Sequence, residues 1–503
     1  MLVAAIVRSM SATRGAGGPA TLSTRPRHGA LWGFSRRVWE RWSQEDVATW
    51  VRRLVLAGIA LIFLEAAATV EVIYTIRPSY ALLAAACAFG LPFAFRGWMR
   101  LPVTLRWLAV ALFAVYVLAA MAGETAVLRA QERGGNERAL VYLSDLALGL
   151  AVLGLICGLW SGRRSPLPLL IALAIGAAPA AFYAIYQWFA QHYGWPLADV
   201  NNAAHAIGAA GAPDASDTGF LGWQRARGTF AEPHFLGAYL AMVLPITLGL
   251  LVISGRSGAR RLRSPLLALA AAMAVALVLT SSLPAWGTLA LGGLAALALF
   301  SVAKGMPTRA ALAGTGVAVV LALGPLTLVS PQTVAPLTGR DSLEFSTEFR
   351  AESWGSAVRV WASRPVLGYG PGQSSIRVAG ETTVAARAAP TKQPRQLGSA
   401  QGLWAAALVD AGSVGAALWL VFLGSVLFFG GTRLLRDPTF WMLAIFSAAL
   451  TAVLGSQLAG DRLPLSVWVM MGVLLSAAVA AANGGSSEPD AGQRGQQPDG
   501  GSS

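Results

Sequence analysis

The sequence predicts an all-α, polytopic integral membrane protein of about twelve transmembrane helices with two long external loops. Three observations predict it. Of 503 residues, 55% are hydrophobic and 12% charged, a composition too apolar for a soluble enzyme. The apolar residues fall in runs close to the roughly 20 needed to cross a hydrocarbon core of about 30 Å. Arginine and lysine concentrate in short connections between those runs, on every second one. The formal charge of +14 is therefore read as the positive-inside pattern, and a nucleic-acid-binding domain is excluded.

In chain order, residues 1–50 read as a basic, mostly disordered cytoplasmic tail, whose Gly/Pro/Ser/Thr-rich segment after Arg14 is not the compact apolar h-region of a cleavable signal. A transmembrane domain follows over 51–482. Its expected spans are Leu54–Ile76, Ser79–Phe95, Leu105–Ala122, Ala139–Trp160, Leu167–Ala190 and Pro233–Ile253. They continue with Pro265–Leu279, Trp286–Ala303, Ala310–Val329, Gly402–Phe429, Thr439–Ala459 and Leu463–Ala482. Of these, Ser79–Phe95 and Pro265–Leu279 are short enough to be tilted or re-entrant. Arg96 and Arg100, Arg163 and Arg164, the Arg256–Arg263 cluster, Lys304 and Arg309, and Arg433 and Arg436 share one side with the N-terminal tail. That side is the cytoplasm, and both termini lie there. Residues 483–503, rich in Gly, Ser, Gln and Pro, read as a disordered tail.

The two long connections, about 191–232 and 330–401, fall on the external side, where loops of that length carry function or are disordered. The second is net basic. Within it, about Thr347–Ala362 predicts an amphipathic helix with Phe349, Trp354, Val358 and Trp361 on one side, stopped by Pro365 and by Gly368, Gly370 and Gly372. Cys87 and Cys157 are the only cysteines, each in an apolar run, so neither a disulfide framework nor a thiolate metal site is available. Glu65, Glu71, Asp145 and Asp410 are the acidic residues at or near membrane depth, where such groups face a bundle interior or cavity.

The polar chemistry gathers in Gln224–Ile246, where Arg225, Arg227, Gly228, Thr229, Phe230, Glu232, Pro233 and His234 run directly into an apolar helix. Pro233 suits the first helical turn, and Glu232 lies beside the positive end of the helix dipole. Arginines presented at a membrane surface suit a phosphate or diphosphate headgroup; the alternative is that they snorkel at the interface. His234 is the one of four histidines beside these arginines and is a candidate general base, as is Glu232; the alternative for both is a capping or paired role at the helix start. No Asp-x-Asp motif or His/Cys cluster points to a bound metal.

The run Arg225-x-x-Gly228-Thr229-Phe230-x-x-Pro233 resembles the O-antigen ligase and O-antigen polymerase family of bacterial membrane glycosyltransferases. So does Arg350-x-x-x-Trp354 continuing to Pro365-x-x-Gly368-x-Gly370-x-Gly372. Gln187, the Asp410-x-Gly412-x-x-Gly415 step, and Pro464 with Trp468 agree in order, so the similarity extends over about Leu140–Ala482. The resemblance implies a GT-C-like fold in the bacterial cytoplasmic membrane. It implies metal- and cofactor-independent transfer or polymerisation of a polyprenyl-diphosphate-linked oligosaccharide on the external face, onto a glycan, lipid or protein acceptor. Arg225, Arg350 and, as an additional contact, Arg227 would hold the donor diphosphate and its developing negative charge. Gln401 stands where the ligase branch has a histidine, by its spacing from Asp410 and Gly412. It completes the candidate catalytic positions with Glu232 and His234. A glutamine amide is no general base, so this departure leaves polymerase chemistry, a different base or altered activity open. The rival from another class is a transporter or flippase of lipid-linked oligosaccharide or another anionic substrate, using the same arginines and the intramembrane carboxylates. A non-catalytic glycan-binding subunit is a third reading.

Overall fold

The computed structural model describes the backbone of residues 30–64, 70–71, 75–122, 135–161, 165–198, 200, 224–230, 232–256, 259–307, 310, 340–381, 402–457 and 463–482. The chain divides into two units, Met1–Thr49 and Trp50–Ser503. Of the first, the described part is helical from Ala30, so helix α1 (Ala30–Ala60) already begins inside the stretch read as a disordered tail. Among its described residues the second unit is all-α apart from one antiparallel pair of two-residue strands, Val70–Glu71 with Thr75–Ile76.

The helices of this unit continue as α2 (Pro78–Phe89), α3 (Leu91–Arg100), α4 (Val103–Ala122), α5 (Gly135–Trp160), α6 (Leu167–Tyr193) and α7 (Pro233–Arg256). After them come α8 (Arg263–Leu279), α9 (Leu283–Ala303), α10 (Arg340–Ser363), α11 (Ser374–Glu381), α12 (Leu403–Arg436), α13 (Phe440–Ser456) and α14 (Leu465–Ala482). Proline opens several of them: Pro78 and Pro233 are first residues, and Pro168 and Pro284 are second, where a missing N–H leaves no bond unmade.

Six described helices, α4, α5, α6, α7, α9 and α12, are long and apolar enough to cross a membrane; α8, α13 and α14 are apolar but shorter. Among the described residues, the expected span Leu54–Ile76 is α-helical to Ala60, has a 3-10 turn at Ile62–Leu64 and contains both strands of the antiparallel pair. The expected span Ser79–Phe95 is the broken pair α2–α3, bent by 81° at Gly90. Ala310–Val329 lies outside the described residues except for Ala310, as do residues 1–29 and 483–503.

Small residues let the helices approach closely. A Cβ on Gly97 of α3 would stand 1.8 Å from the Gly154 carbonyl oxygen, and one on Gly158 of α5 would stand 1.9 Å from that of Phe93. Arg100, at the end of α3, donates to the Gly158 and Ser161 carbonyls at 3.3 and 2.9 Å, a cation on the negative end of α5. At the centre, α7 packs against α6, α8, α9 and α13, while α14 packs on α5 and α12 packs on α4. These contacts bring the C-terminal ends of α6, α8 and α13 together with the N-terminal ends of α7, α9, α12 and α14. The candidate site is built at that end of the bundle.

Candidate functional site

The loop from Gln224 to Phe230 is pinned from several directions. Gln187, fully buried in α6, accepts from the backbone N–H groups of Arg227 and Gly228 at 3.0 and 2.7 Å through the same Oε1. The Ala226 N–H donates to Leu279 O at 3.0 Å, and Arg225 Nε donates to Thr280 O at 2.9 Å, both acceptors at the end of α8. The Thr229 hydroxyl donates to the Phe63 carbonyl after α1. Phe230 packs on Tyr239 of α7 at 5.3 Å. Gly228 makes this turn at φ 57°, a left-handed conformation natural to glycine. The result is a rigid loop that carries Arg225 and Arg227, both half-buried, at the mouth of α7.

Glu232 opens α7 with its backbone, accepting from Phe235 and Leu236 N–H at 3.2 and 3.4 Å. Its exposed carboxylate meets His234 Nδ1 at 3.0 Å, and the histidine is mostly buried against Phe235, ring to ring at 4.3 Å. A carboxylate bound to Nδ1 assigns the Nδ1–H tautomer when the ring is neutral and leaves Nε2 as the basic nitrogen. The two residues given as alternative bases are therefore one hydrogen-bonded pair. Beside them, an apolar crevice between α7, α13 and α14 is lined by Phe230, Phe235, Tyr239, Met242, Gly455 and Pro464.

The second motif forms a neighbouring support. Helix α10 spans Arg340–Ser363, so the amphipathic helix expected near 347–362 extends further toward its N-terminus. Arg350 lies in α10, with its side chain outside the described residues. One turn on, Trp354 packs against a cluster containing Ala357, Val360, Tyr369, Ala405 and Val409. The ring also lies 3.6 Å from a Cβ placed on Gly402, which itself presses on the Gln457 carbonyl at the end of α13. Arg350's helix is thereby tied to the end of the bundle that holds Arg225 and Arg227. Gln401 lies outside the described residues; its neighbour Gly402 caps α12.

Helix α12 breaks at Gly412 (φ 66°, ψ −164°), and the glycine-rich segment after α10 zips into the break. Tyr369 and Gly370 N–H donate to the Val409 and Asp410 carbonyls at 2.8 and 2.9 Å, and Ser413 N–H donates to Pro365 O at 2.7 Å. The backbones are so close that a Cβ on Gly412 would stand 2.2 Å from Val366 O, and one on Gly368 would stand 2.4 Å from Val409 O. The fully buried carboxylate of Asp410 accepts from Gly372 N at 3.0 Å and Ser374 N at 2.6 Å, capping the start of α11. Asp410 thus supports the loop that follows α10. Arg364 and Arg377 both stack on Tyr369, at 4.9 and 4.2 Å from the ring centre.

Sequence reasoning did not find Thr280 and Leu279 as acceptors, because a backbone carbonyl leaves no residue-type signal. The break in α12 did carry one, a Gly-x-x-Gly step inside an apolar run. Among the acidic residues, Glu65 lies outside the described residues, and Glu71 falls on the short antiparallel pair.

No curated protein matches the chain. Residues 268–420 match a family model described as O-antigen ligase, a segment that runs from α8 through the broken part of α12 and includes Arg350, Trp354, Asp410 and Gly412. Through that segment, the chain is similar to the O-antigen ligase family.

Proposed function

We propose that this protein transfers or polymerises an oligosaccharide carried on polyprenyl diphosphate, at the external face of the bacterial cytoplasmic membrane, in cell-surface polysaccharide biosynthesis. The observation that carries the reading is the arginine loop: Arg225 and Arg227 are fixed by Gln187 and Thr280 beside an apolar crevice, with a carboxylate–histidine pair at the same helix start. An amphiphilic donor needs both surfaces, a cationic one for its diphosphate and an apolar one for its chain.

In this mechanism Arg225 and Arg227, with Arg350 from α10, bind the diphosphate. As the bond between the anomeric carbon and the phosphate oxygen breaks, negative charge grows on the leaving polyprenyl diphosphate, and the arginines stabilise it without needing to reorganise. A hydroxyl of the acceptor attacks the anomeric carbon. His234 Nε2 takes the proton from that hydroxyl, while Glu232 holds Nδ1 and stabilises the imidazolium that forms. The pair supplies a base where Gln401, at the position of the family's histidine, supplies none. No step calls on a metal or organic cofactor. The acceptor is a glycan, a lipid or a protein.

The test is turnover of a radiolabelled polyprenyl-diphosphate oligosaccharide by purified protein in lipid bilayers, with EDTA present. Wild type should release polyprenyl diphosphate and lengthen or transfer the glycan. Arg225→Ala and Arg350→Ala should each lower turnover by at least about 100-fold, the order found for removal of one transition-state donor. His234→Ala should fall by a similar 10²–10⁴-fold as a lost general base. Donor that crosses the bilayer chemically unchanged would instead establish a transporter.

A further inference from the structure

Helices α2 and α3 do not make one straight membrane span. They are 12 and 10 residues long, about 18 and 15 Å, against a hydrocarbon core of about 30 Å, and they meet at Gly90 with a bend of 81°. The bend is wedged against its neighbours: a Cβ on Gly90 would stand 2.6 Å from the Leu155 side chain of α5 and 2.9 Å from that of Val51 in α1. Beyond it, α3 crosses α5 instead of running alongside. Ala94 and Trp98 meet Gly154 and Leu150 of α5, with Trp98 Nε1 donating to Leu150 O at 3.2 Å, whereas Phe93 and Arg100 meet Gly158 and Ser161.

One edge of α3 therefore faces the bilayer centre, and the other faces the end of the bundle where α5 stops and α6 starts, opposite the arginine loop. The crossing point, Gly154 to Gly158, lies about 5–10 Å short of that end, the depth at which in-plane amphipathic helices are buried in a bilayer. The residues of α3 divide to match. Leu91, Phe95 and Met99 form a row at i, i+4 and i+8, each more than half exposed, and Phe89 before the bend extends it. Ala94 and Gly97 are buried against α5. Arg100 is bonded to the end of α5, and Arg96, exposed and one turn earlier, shares its edge. Arg106 of α4 reaches back to Met99, its guanidinium 3.4 Å from Sδ.

An exposed apolar row is the ordinary lipid face of a kinked span, and by itself it would carry nothing more. The cationic edge decides between the two placements. In a span, the exposed Arg96 would stand in hydrocarbon, a costly place for a charge. In the plane, it reaches the headgroups while the row stays among acyl chains. Nothing nearby in the chain neutralises it: from Pro78 to Ala122 the sequence has Arg96, Arg100 and Arg106 and no Asp or Glu. The surface complementary to this helix is apolar on one side and anionic on the other, and arginine's fork matches a phosphate.

We infer that α3 is an in-plane helix docked on anionic phospholipid, with Leu91, Phe95 and Met99 among the acyl chains and Arg96 and Arg106 on the headgroups. Arg100 ties the docked helix to the bundle through α5. Zwitterionic lipids offer the same phosphate, but only a lipid of net negative charge matches arginines that no carboxylate of α2, α3 or α4 offsets. The inference needs the chain to lie in a membrane and does not depend on the transferase reading.

The test puts a bimane fluorophore on Phe95→Cys in the full chain, held in nanodiscs; Cys87 and Cys157 are buried and leave little background. Quenching by nitroxide-labelled phosphatidylglycerol is compared with quenching by nitroxide-labelled phosphatidylcholine at equal mole fraction. Phosphatidylglycerol should be enriched at the label. That enrichment should fall about five-fold for each of Arg96→Gln and Arg106→Gln, the effect of one basic residue at an anionic surface. It should persist in Arg96→Lys/Arg106→Lys, which keeps the charge, and in Arg261→Gln/Arg263→Gln, which removes charge from a different loop. A fluorophore on Arg96→Cys should be open to aqueous iodide. Equal quenching by the two lipids, or enrichment that survives Arg96→Gln/Arg106→Gln, would overturn the anionic partner. Quenching by neither lipid would put a protein surface on the row and overturn it equally. An Arg96→Cys label closed to iodide but open to the lipid quenchers would make α3 part of a span and overturn the in-plane placement.

Discussion

Gln187 illustrates how one neutral side chain can hold a charged site in place. Its Oε1 accepts from two adjacent backbone N–H groups in a region closed to water, while its own Nε2 is buried without a hydrogen-bond partner among the described residues. Leaving a buried donor unsatisfied costs about 1–3 kcal/mol, so Gln187→Leu strands two donors and releases the Arg225–Thr229 loop. Its turnover should fall at least about ten-fold, with a lowered midpoint of thermal unfolding in detergent. Gln187→Glu separates structure from charge. It keeps an acceptor for both N–H groups and loses an amide nitrogen that bonds nothing among the described residues. Its fold should therefore survive, and its main defect should be a raised KM for the proposed anionic donor, because a carboxylate would stand behind the proposed diphosphate site. Equal loss of stability in both variants would show that Gln187 matters only as packing. The same reasoning at His234 explains why Glu232 and His234 are one unit: the 3.0 Å contact fixes which imidazole nitrogen is left to act.

At the scale of elements, the notable feature is a helix that is broken in order to be bonded. An unbroken α12 would keep the Val409 and Asp410 carbonyls and the Ser413 N–H for itself. The turn at Gly412 gives them to residues 365–370 instead, and Asp410 then caps α11 from below. Gly412 has a φ/ψ combination that is essentially glycine's alone, costing about 1–3 kcal/mol for any other residue before the clash with Val366 O is counted. Gly412→Ala should accordingly speed amide exchange across 365–374 by at least about ten-fold and weaken transfer by loosening the support of α10. Gly424→Ala, in the regular part of the same helix with open space at its Cβ, is the control and should be neutral or slightly stabilising. Much of this was legible in the sequence. The glycine-rich step after Pro365, the Asp410-x-Gly412 step and the arginine loop were all visible as motifs, because glycine and proline mark positions where ordinary backbone fails. What each motif touches was not legible. Hydropathy saw one span across Gly412, since a break whose backbone bonds are made elsewhere leaves the apolar run intact. It likewise read Leu54–Ile76 as one span, although the helix ends at Ala60 and Phe63 then serves as an acceptor for Thr229.

At the scale of the whole molecule, the proposed reaction requires the arginine loop to face outside, and the helices make that a single binary question. The ends of α6, α8 and α13 meet the starts of α7, α9, α12 and α14, so the side assigned to one fixes the side of all. Arg100, Lys304, Arg433 and Arg436 lie at the opposite end, which the positive-inside rule predicts to be cytoplasmic. Two cysteine substitutions decide it. Leu197, 72% exposed just after α6, lies at the end carrying the arginine loop, and Lys304, exposed after α9, lies at the other. The native Cys87 and Cys157 are both buried and free, so they can remain in place with little background labelling. A membrane-impermeant maleimide applied to intact spheroplasts should label Leu197→Cys, and should label Lys304→Cys only after permeabilisation. The opposite pattern would put the arginines in the cytoplasm, where the diphosphate of a newly made carrier is also exposed. The same loop would then bind the donor before it crosses the membrane, and the chemistry proposed here would have to give way to a carrier-binding role on the inner face.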